Sequence, residues 1–297
     1  MEDHRRYLQP EVIAKLSNIE IKARLVVEGF ITGLHRSPYH GFSVEFAEHR
    51  QYRPGDNIRH IDWKVFSRTD KYFVKQFEEE TNLRSIVALD SSKSMQFASK
   101  GNISKFEYAS YLAAALSFML VKQRDAIGLA LYDTEIKKYM PPSSKPSYLN
   151  EILKLLSVTV PENETGTASA LDRLAERIKR RGLVIIMSDF FDDPESVVSA
   201  LKHFRHQNHE VLAFQILDPR EVDFKFGHGA NFVDMETGEE LMTQPYQIQK
   251  SYSTAVQDFI GRIKKECLNH KIDYHLIDTS MPFDKALKEY LIKRSRV

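Results

Sequence analysis

The chain has 297 residues, with 42 Lys+Arg against 41 Asp+Glu and a formal net charge of +1. Near-neutrality gives no global reason to expect nucleic-acid or membrane-surface binding. A single cysteine, Cys267, excludes an internal disulfide and a thiolate metal cluster. With no apolar signal core in Met1-Glu2-Asp3-His4-Arg5-Arg6, the expected compartment is the reducing cytoplasm.

Apolar residues recur at helical spacing from Pro10 to Phe30, which predicts one or two helices. Arg36 to Lys71 is rich in Gly, Pro and Asp and is expected to form a strand-and-loop module, followed by a strand at Val74–Phe77. From Arg84 onward strand and helix patterns alternate. Strands are expected at 86–89, 126–132, 183–188, 211–217 and 272–277, with an antiparallel edge at 136–140. Helices are expected at 105–123, 148–157, 169–179, 194–205, 246–268 and 283–292. A hairpin at about 231–243, turning through Thr237-Gly238, is expected at the sheet edge. This pattern predicts a doubly wound, mostly parallel α/β sheet flanked by helices over 81–297, with residues 1–80 packed on it. The longest apolar run, Tyr111 to Val121, is shorter than the roughly 20 residues of a membrane span and fits a core helix.

One strand runs directly into Asp90-Ser91-Ser92-Lys93-Ser94, a D-x-S-x-S loop. A carboxylate and two hydroxyls on one loop are hard oxygen donors, suited to Mg²⁺ or Mn²⁺ rather than zinc. A polar turn whose serines cap the next helix shows the same residues. Two further segments strengthen the metal reading. Gly166-Thr167 opens an amphipathic helix, and the strand Leu183–Met187 ends in Ser188-Asp189. Ligands of open α/β sheets bind outside the carboxyl ends of the strands, so Asp90, Ser92, Ser94, Thr167 and Asp189 are expected to converge on one cation. Asp133, after the strand at 126–132, is read as a turn aspartate. The eleven histidines form no H-x-x-x-H or H-E-x-x-H pair, and His203, His206 and His209 are read as solvated residues at a helix end. Neither a Walker A nor a G-x-G-x-x-G segment is present, so nucleotide binding is not expected.

Between Arg50 and Arg68, the basic Arg50, Arg53, Arg59, Lys64 and Arg68 alternate with Tyr52, Trp63, Asp56 and Asp62. An internal network of Arg–carboxylate pairs with Trp63 as a core anchor explains them. Binding of phosphates or stacked bases by the same loop is the other reading, structural and partner-binding roles being undecided.

The segments Asp90–Ser94, Gly166-Thr167 and Asp189 resemble the metal-ion-dependent adhesion site of von Willebrand factor A domains. Where many such domains read T-D-G, this chain reads Ser188-Asp189-Phe190. The resemblance implies that Ser92, Ser94 and Thr167 lie nearest the cation and that Asp90 and Asp189 act partly through water. The stretch from Gly33, above all Arg50-Gln51-Tyr52-Arg53-Pro54-Gly55-Asp56 through Asp62-Trp63-Lys64 to Lys71, is similar to the bacterial and archaeal family called domain of unknown function fifty-eight. That family carries a von Willebrand A-like domain and commonly accompanies MoxR-type AAA+ ATPases. The expected function is therefore a non-catalytic, Mg²⁺- or Mn²⁺-dependent adaptor. Its expected partner is a MoxR-like ATPase or a client protein that supplies a carboxylate. A metal-dependent phosphoesterase using Asp90, and a nucleic-acid-binding module using the Arg50–Arg68 loop, are the alternatives.

Overall fold

A computed structural model of the chain describes residues 10–14, 16, 18–34, 49–51, 66–68, 70, 72–75, 83–226, 230–234 and 240–294. At the start, the expected helical stretch is two helices, Pro10–Ala14 (α1) and Ile19–Leu34 (α2). Asn18 separates them, its Oδ1 accepting from the Glu20 N–H at 2.7 Å as an N-cap does. Two short strands, His49–Gln51 (β1) and Phe73–Lys75 (β2), pair antiparallel.

The main sheet has six strands: Arg84–Asp90 (β3), Ala126–Tyr132 (β4), Ile136–Ser143 (β5), Leu183–Ser188 (β6), Glu210–Leu217 (β7) and Asp273–Asp278 (β10). Their order is β10-β7-β6-β3-β4-β5. All neighbours are parallel except β4 and β5, whose turn reverses the chain. The chain moves outward from β3 to β5, then returns to the other side of β3 at β6. The switch of direction lies between β3 and β6. The doubly wound, mostly parallel sheet expected from the alternating strands and helices is the one observed.

The alternation of side chains explains the two layers. Val87 and Leu89 of β3, with Ile185 and Met187 of β6, face one core, shared with α2, Lys105–Lys122 (α3), Pro146–Val158 (α4) and Phe283–Arg294 (α9). Ile86 and Ala88, with Val184 and Ile186, face a second core, shared with Thr167–Arg177 (α5), Pro194–His206 (α6) and Pro245–Asn269 (α8). Helix α3 is apolar on nearly every side because the sheet lies beneath it and α2, α4 and α9 cover it. Among the described residues, no helix is long and apolar enough to cross a membrane.

Three features depart from the expected elements. A short helix, Pro219–Asp223 (α7), follows β7; it opens with a capping box of Asp218 and Glu221. The strands Ala230–Val233 (β8) and Glu240–Thr243 (β9) form a two-stranded sheet of their own, anchored where Phe232 meets Phe224 and Phe226 at ring distances of 5.3 and 5.0 Å. His209 is not solvated but 1 % exposed. Burial holds its imidazole below the usual pKa, and its Nε2 lies 3.3 Å from the Ile178 carbonyl.

Candidate functional site

Asp90 ends β3 at the switch point, with its carboxylate fully buried. Oδ1 accepts from the Ser92 N–H at 2.9 Å. Oδ2 accepts from the Ser188 and Thr167 hydroxyls at 2.6 and 3.2 Å. One aspartate thus gathers the first loop, the start of α5 and the end of β6. Backbone bonds fix the first two loops together: Lys93 N–H donates to the Asn163 carbonyl and Glu162 N–H to the Ser91 carbonyl. Asp133 is the turn aspartate expected, and it also braces this loop, accepting from Asn163 Nδ2 at 2.8 Å. Gly166 is required by close approach, since a Cβ there would lie 2.9 Å from Thr134 Cα.

Asp189 closes the ring. Its Oδ2 accepts from the Ser94 hydroxyl at 2.9 Å, and its Oδ1 from the Phe191 N–H at 3.1 Å. The Ser92 and Ser94 hydroxyls stand 3.1 Å apart. All five residues singled out in the sequence therefore meet at one place. The third loop lacks glycine, yet Phe190 adopts the left-handed φ of 56° that glycine takes without strain. Its ring is fully buried against the second core, which holds the residue in that conformation.

Three participants were missed in the sequence. In the sequence Ser188 stands out only as the neighbour of Asp189, yet it makes the shortest bond to Asp90. Lys105 is fully buried, and its Nζ lies 2.7 Å from Asp189 Oδ2 and 2.6 Å from Glu221 Oε1. A sequence signal for Lys105 existed: a lysine in the first turn of a helix opposes the macrodipole and calls for a specific partner. Glu221 gave no such signal, because its role depends on where α7 docks.

Three carboxylates and one ammonium leave the cluster with a formal charge of −2 when all are ionised. The charge imbalance is visible in the acids. Burial pushes the Asp90 carboxyl up to about 6, Asp189's charge adds to the rise, and bonds from Ser188 and Ser92 hold it back. Burial likewise raises Glu221 to about 7, against the pull of Lys105. For Lys105 burial disfavours the charge, but Asp189 and Glu221 outweigh it and the ammonium titrates above its ordinary range.

Among the described residues, no cluster of three or more His, Cys, Asp or Glu side chains gathers to hold a metal. The donors at this site are chiefly hydroxyls instead. Glu221 stands beyond Lys105 and is not one of them. An all-oxygen set with surplus negative charge fits a hard divalent cation. Ser94, Thr165, Gly166 and Phe191 are partly exposed and form the mouth.

Replacing Ser188 with alanine removes a bond to a buried carboxylate. The expected loss is about 1–3 kcal/mol of stability. Urea unfolding of the variant measures it; a loss well under 1 kcal/mol would show that the bond contributes little.

The charged N-terminal loop is only partly described. Arg50 lies in β1 opposite Val74, and Arg68 is exposed. Tyr52, Asp56, Arg59, Asp62 and Trp63 lie outside the described residues.

Residues 48–259 match the family model described as Protein of unknown function DUF58. Uncharacterized protein Rv1480 of Mycobacterium tuberculosis and Uncharacterized protein Mb1516 of Mycobacterium bovis are each 28% identical over 233 residues, 77% of this chain and 72% of theirs. Among solved structures, BatB from Bacteroides thetaiotaomicron overlays 72% of this chain and 100% of its own, with TM-score 0.48 and 18% identity. The vWF domain of the type V pili tip protein Mfa5 from Porphyromonas gingivalis overlays 70% of this chain and 95% of its own, with TM-score 0.37 and 13% identity. The family match spans the loops of Asp90, Thr167 and Asp189 and the strands that precede them, and the chain belongs to the DUF58 family.

Proposed function

We propose that this chain is a non-catalytic adaptor that binds a partner protein through a divalent cation, Mg²⁺ or Mn²⁺. The observation that carries this reading is the meeting of the Ser92, Ser94 and Thr167 hydroxyls between Asp90 and Asp189 at the sheet's switch point. Ser92, Ser94 and Thr167 would hold the cation, with Asp90 and Asp189 supporting them and balancing its charge. When bound, the cation supplies a Lewis-acidic seat for one more oxygen ligand, such as a partner's glutamate or aspartate. The mouth of Ser94, Thr165 and Gly166 gives that carboxylate a path. The resemblance drawn from the sequence supports a MoxR-type AAA+ ATPase, or its client, as the partner.

Asp90 is poorly placed as a phosphoesterase nucleophile. Both of its oxygens accept hydrogen bonds and it has no exposed surface, whereas a nucleophile must present a lone pair to the incoming phosphorus.

Titration with Mn²⁺ followed by electron paramagnetic resonance tests the reading. One bound ion per chain is expected, and Asp90→Ala and Ser92→Ala should each abolish it while circular dichroism stays unchanged. Capture of a MoxR-type AAA+ ATPase should be lost in EDTA and in both variants. Capture indifferent to EDTA, or Mn²⁺ held equally by the variants, defeats the proposal. Phosphate-ester hydrolysis that needs Asp90 would favour the enzyme reading instead.

A further inference from the structure

At the opposite end of the sheet, where β3 and β6 begin, lies a cavity of about 210 Å³. Arg84, Arg177, Lys179 and Arg180 line it, together with Tyr139, and no aspartate or glutamate does. Four cations around one cavity are a strong local excess in a chain whose net charge is +1. Among the described residues, none of the four pairs with a carboxylate; the nearby Arg181–Glu210 contact, at 3.9 Å, uses a different arginine.

Helix polarity explains only part of this gathering. Arg177 sits in the last turn of α5, where a cation complements the exposed carbonyls. Arg84 belongs to β3 and gains nothing from that dipole. Both guanidinium groups nevertheless act on the same tyrosine. Arg177 lies over Tyr139 at 4.6 Å from the ring centroid. Burial raises the Tyr139 hydroxyl pKa, while the charges of Arg177 and Arg84 both pull it down. The backbone fixes Arg84 there, because Gly182 packs so closely that a Cβ would lie 2.1 Å from the Arg84 carbonyl oxygen. Arg177, Lys179 and Arg180 are exposed at the rim and Arg84 is half-buried, so their like charges repel across a solvent-accessible cleft, and an anion relieves that repulsion.

The wall also has an apolar side, formed by Ile86, Val184, Pro141 and Pro142. Guanidinium groups match phosphoryl oxygens in a two-pronged geometry that a lysine does not offer. The volume is below the roughly 300 Å³ at which pockets for drug-sized ligands begin, so it suits one phosphoryl group and one small ring. We propose that this cavity is a second binding site, separate from the switch-point site, for a small phosphomonoester with an apolar body. Arg84 and Arg177 grip its phosphoryl group, and the proline–aliphatic wall covers its body. This site is independent of any cation at Asp90.

Isothermal titration calorimetry with phenyl phosphate and with inorganic phosphate, both in EDTA, tests the proposal. Phenyl phosphate should bind at millimolar concentration or below and more tightly than inorganic phosphate. Arg84→Gln and Arg177→Gln should each weaken it roughly tenfold or more, with unchanged thermal unfolding. Asp90→Ala should leave it intact. No binding to the wild type, or equal binding by the Arg84→Gln/Arg177→Gln double variant, overturns the site. Equal affinity for the two probes overturns the assignment of an apolar body.

Discussion

Replacing Lys105 with methionine is expected to destabilise this protein by roughly 3–5 kcal/mol, the usual result of removing one partner from a buried ion pair. The ammonium is fully buried and lies within 2.7 Å of one carboxylate and 2.6 Å of another. Without it, Asp189 and the mostly buried Glu221 lose the counter-charge that both of them contact. Methionine fills the volume, so lost packing contributes little and the electrostatic part dominates. For a chain of this size the fall corresponds to a Tm lower by about 6 °C or more. Adding Glu221→Gln should recover much of the loss, because a neutral amide removes one of the two carboxylates that Lys105 had paired. Added Mg²⁺ should stabilise the methionine variant more than the wild type, since the cation then becomes the main counter-charge to Asp189. Thermal scans of the three proteins, with and without Mg²⁺, measure all of this. A loss below about 1 kcal/mol for Lys105→Met would mean that the carboxylates are balanced from elsewhere.

Stability without divalent cations is expected to fall as pH rises from about 4 to about 7, the reverse of ordinary acid denaturation. Asp90 is raised from 3.8 to about 6 in the folded state, and Glu221 from 4.5 to about 7. Between those values the folded protein holds protons that the unfolded chain has released. The linkage slope is therefore negative: the stabilising effect of the protonated acids is complete below the unfolded values and gone above the folded ones. The two carboxyls should each cost about 3 kcal/mol across that window, on the order of 6 kcal/mol together. A divalent cation requires ionised carboxylates, so its binding should strengthen over the same range and fill in the loss. The measurement is Tm against pH in EDTA and in saturating Mg²⁺. Curves that diverge above about pH 6 are expected; curves that stay parallel across the whole range would remove the link between these acids and the cation.

Local pattern in the sequence makes much of this protein legible. Runs such as Ile86–Leu89 and Leu183–Met187 read as strands buried on both faces, because a sheet covered by helices on both sides leaves no polar side to alternate. With two such strands ending in aspartate, Asp90 and Asp189 could be assigned to one sheet edge from the topology rule alone. Phe190 could not be understood that way. Its sequence departs from the expected glycine, and only the packing of its ring shows how the loop keeps a left-handed turn. Ser188 and Glu221 were equally out of reach, and the position of Lys105 in a first helical turn shows only that it needs a partner, not which one. Lys105 lies on α3 and Glu221 on α7, each far along the chain from Asp189, and neither carries a spacing that marks it. Local chemistry and periodicity determined the strands, the helices and the oxygen-donor loops. The tertiary structure alone decided which charges face one another, because burial and the distance between carboxylate and ammonium exist only once the sheet has brought separate segments together.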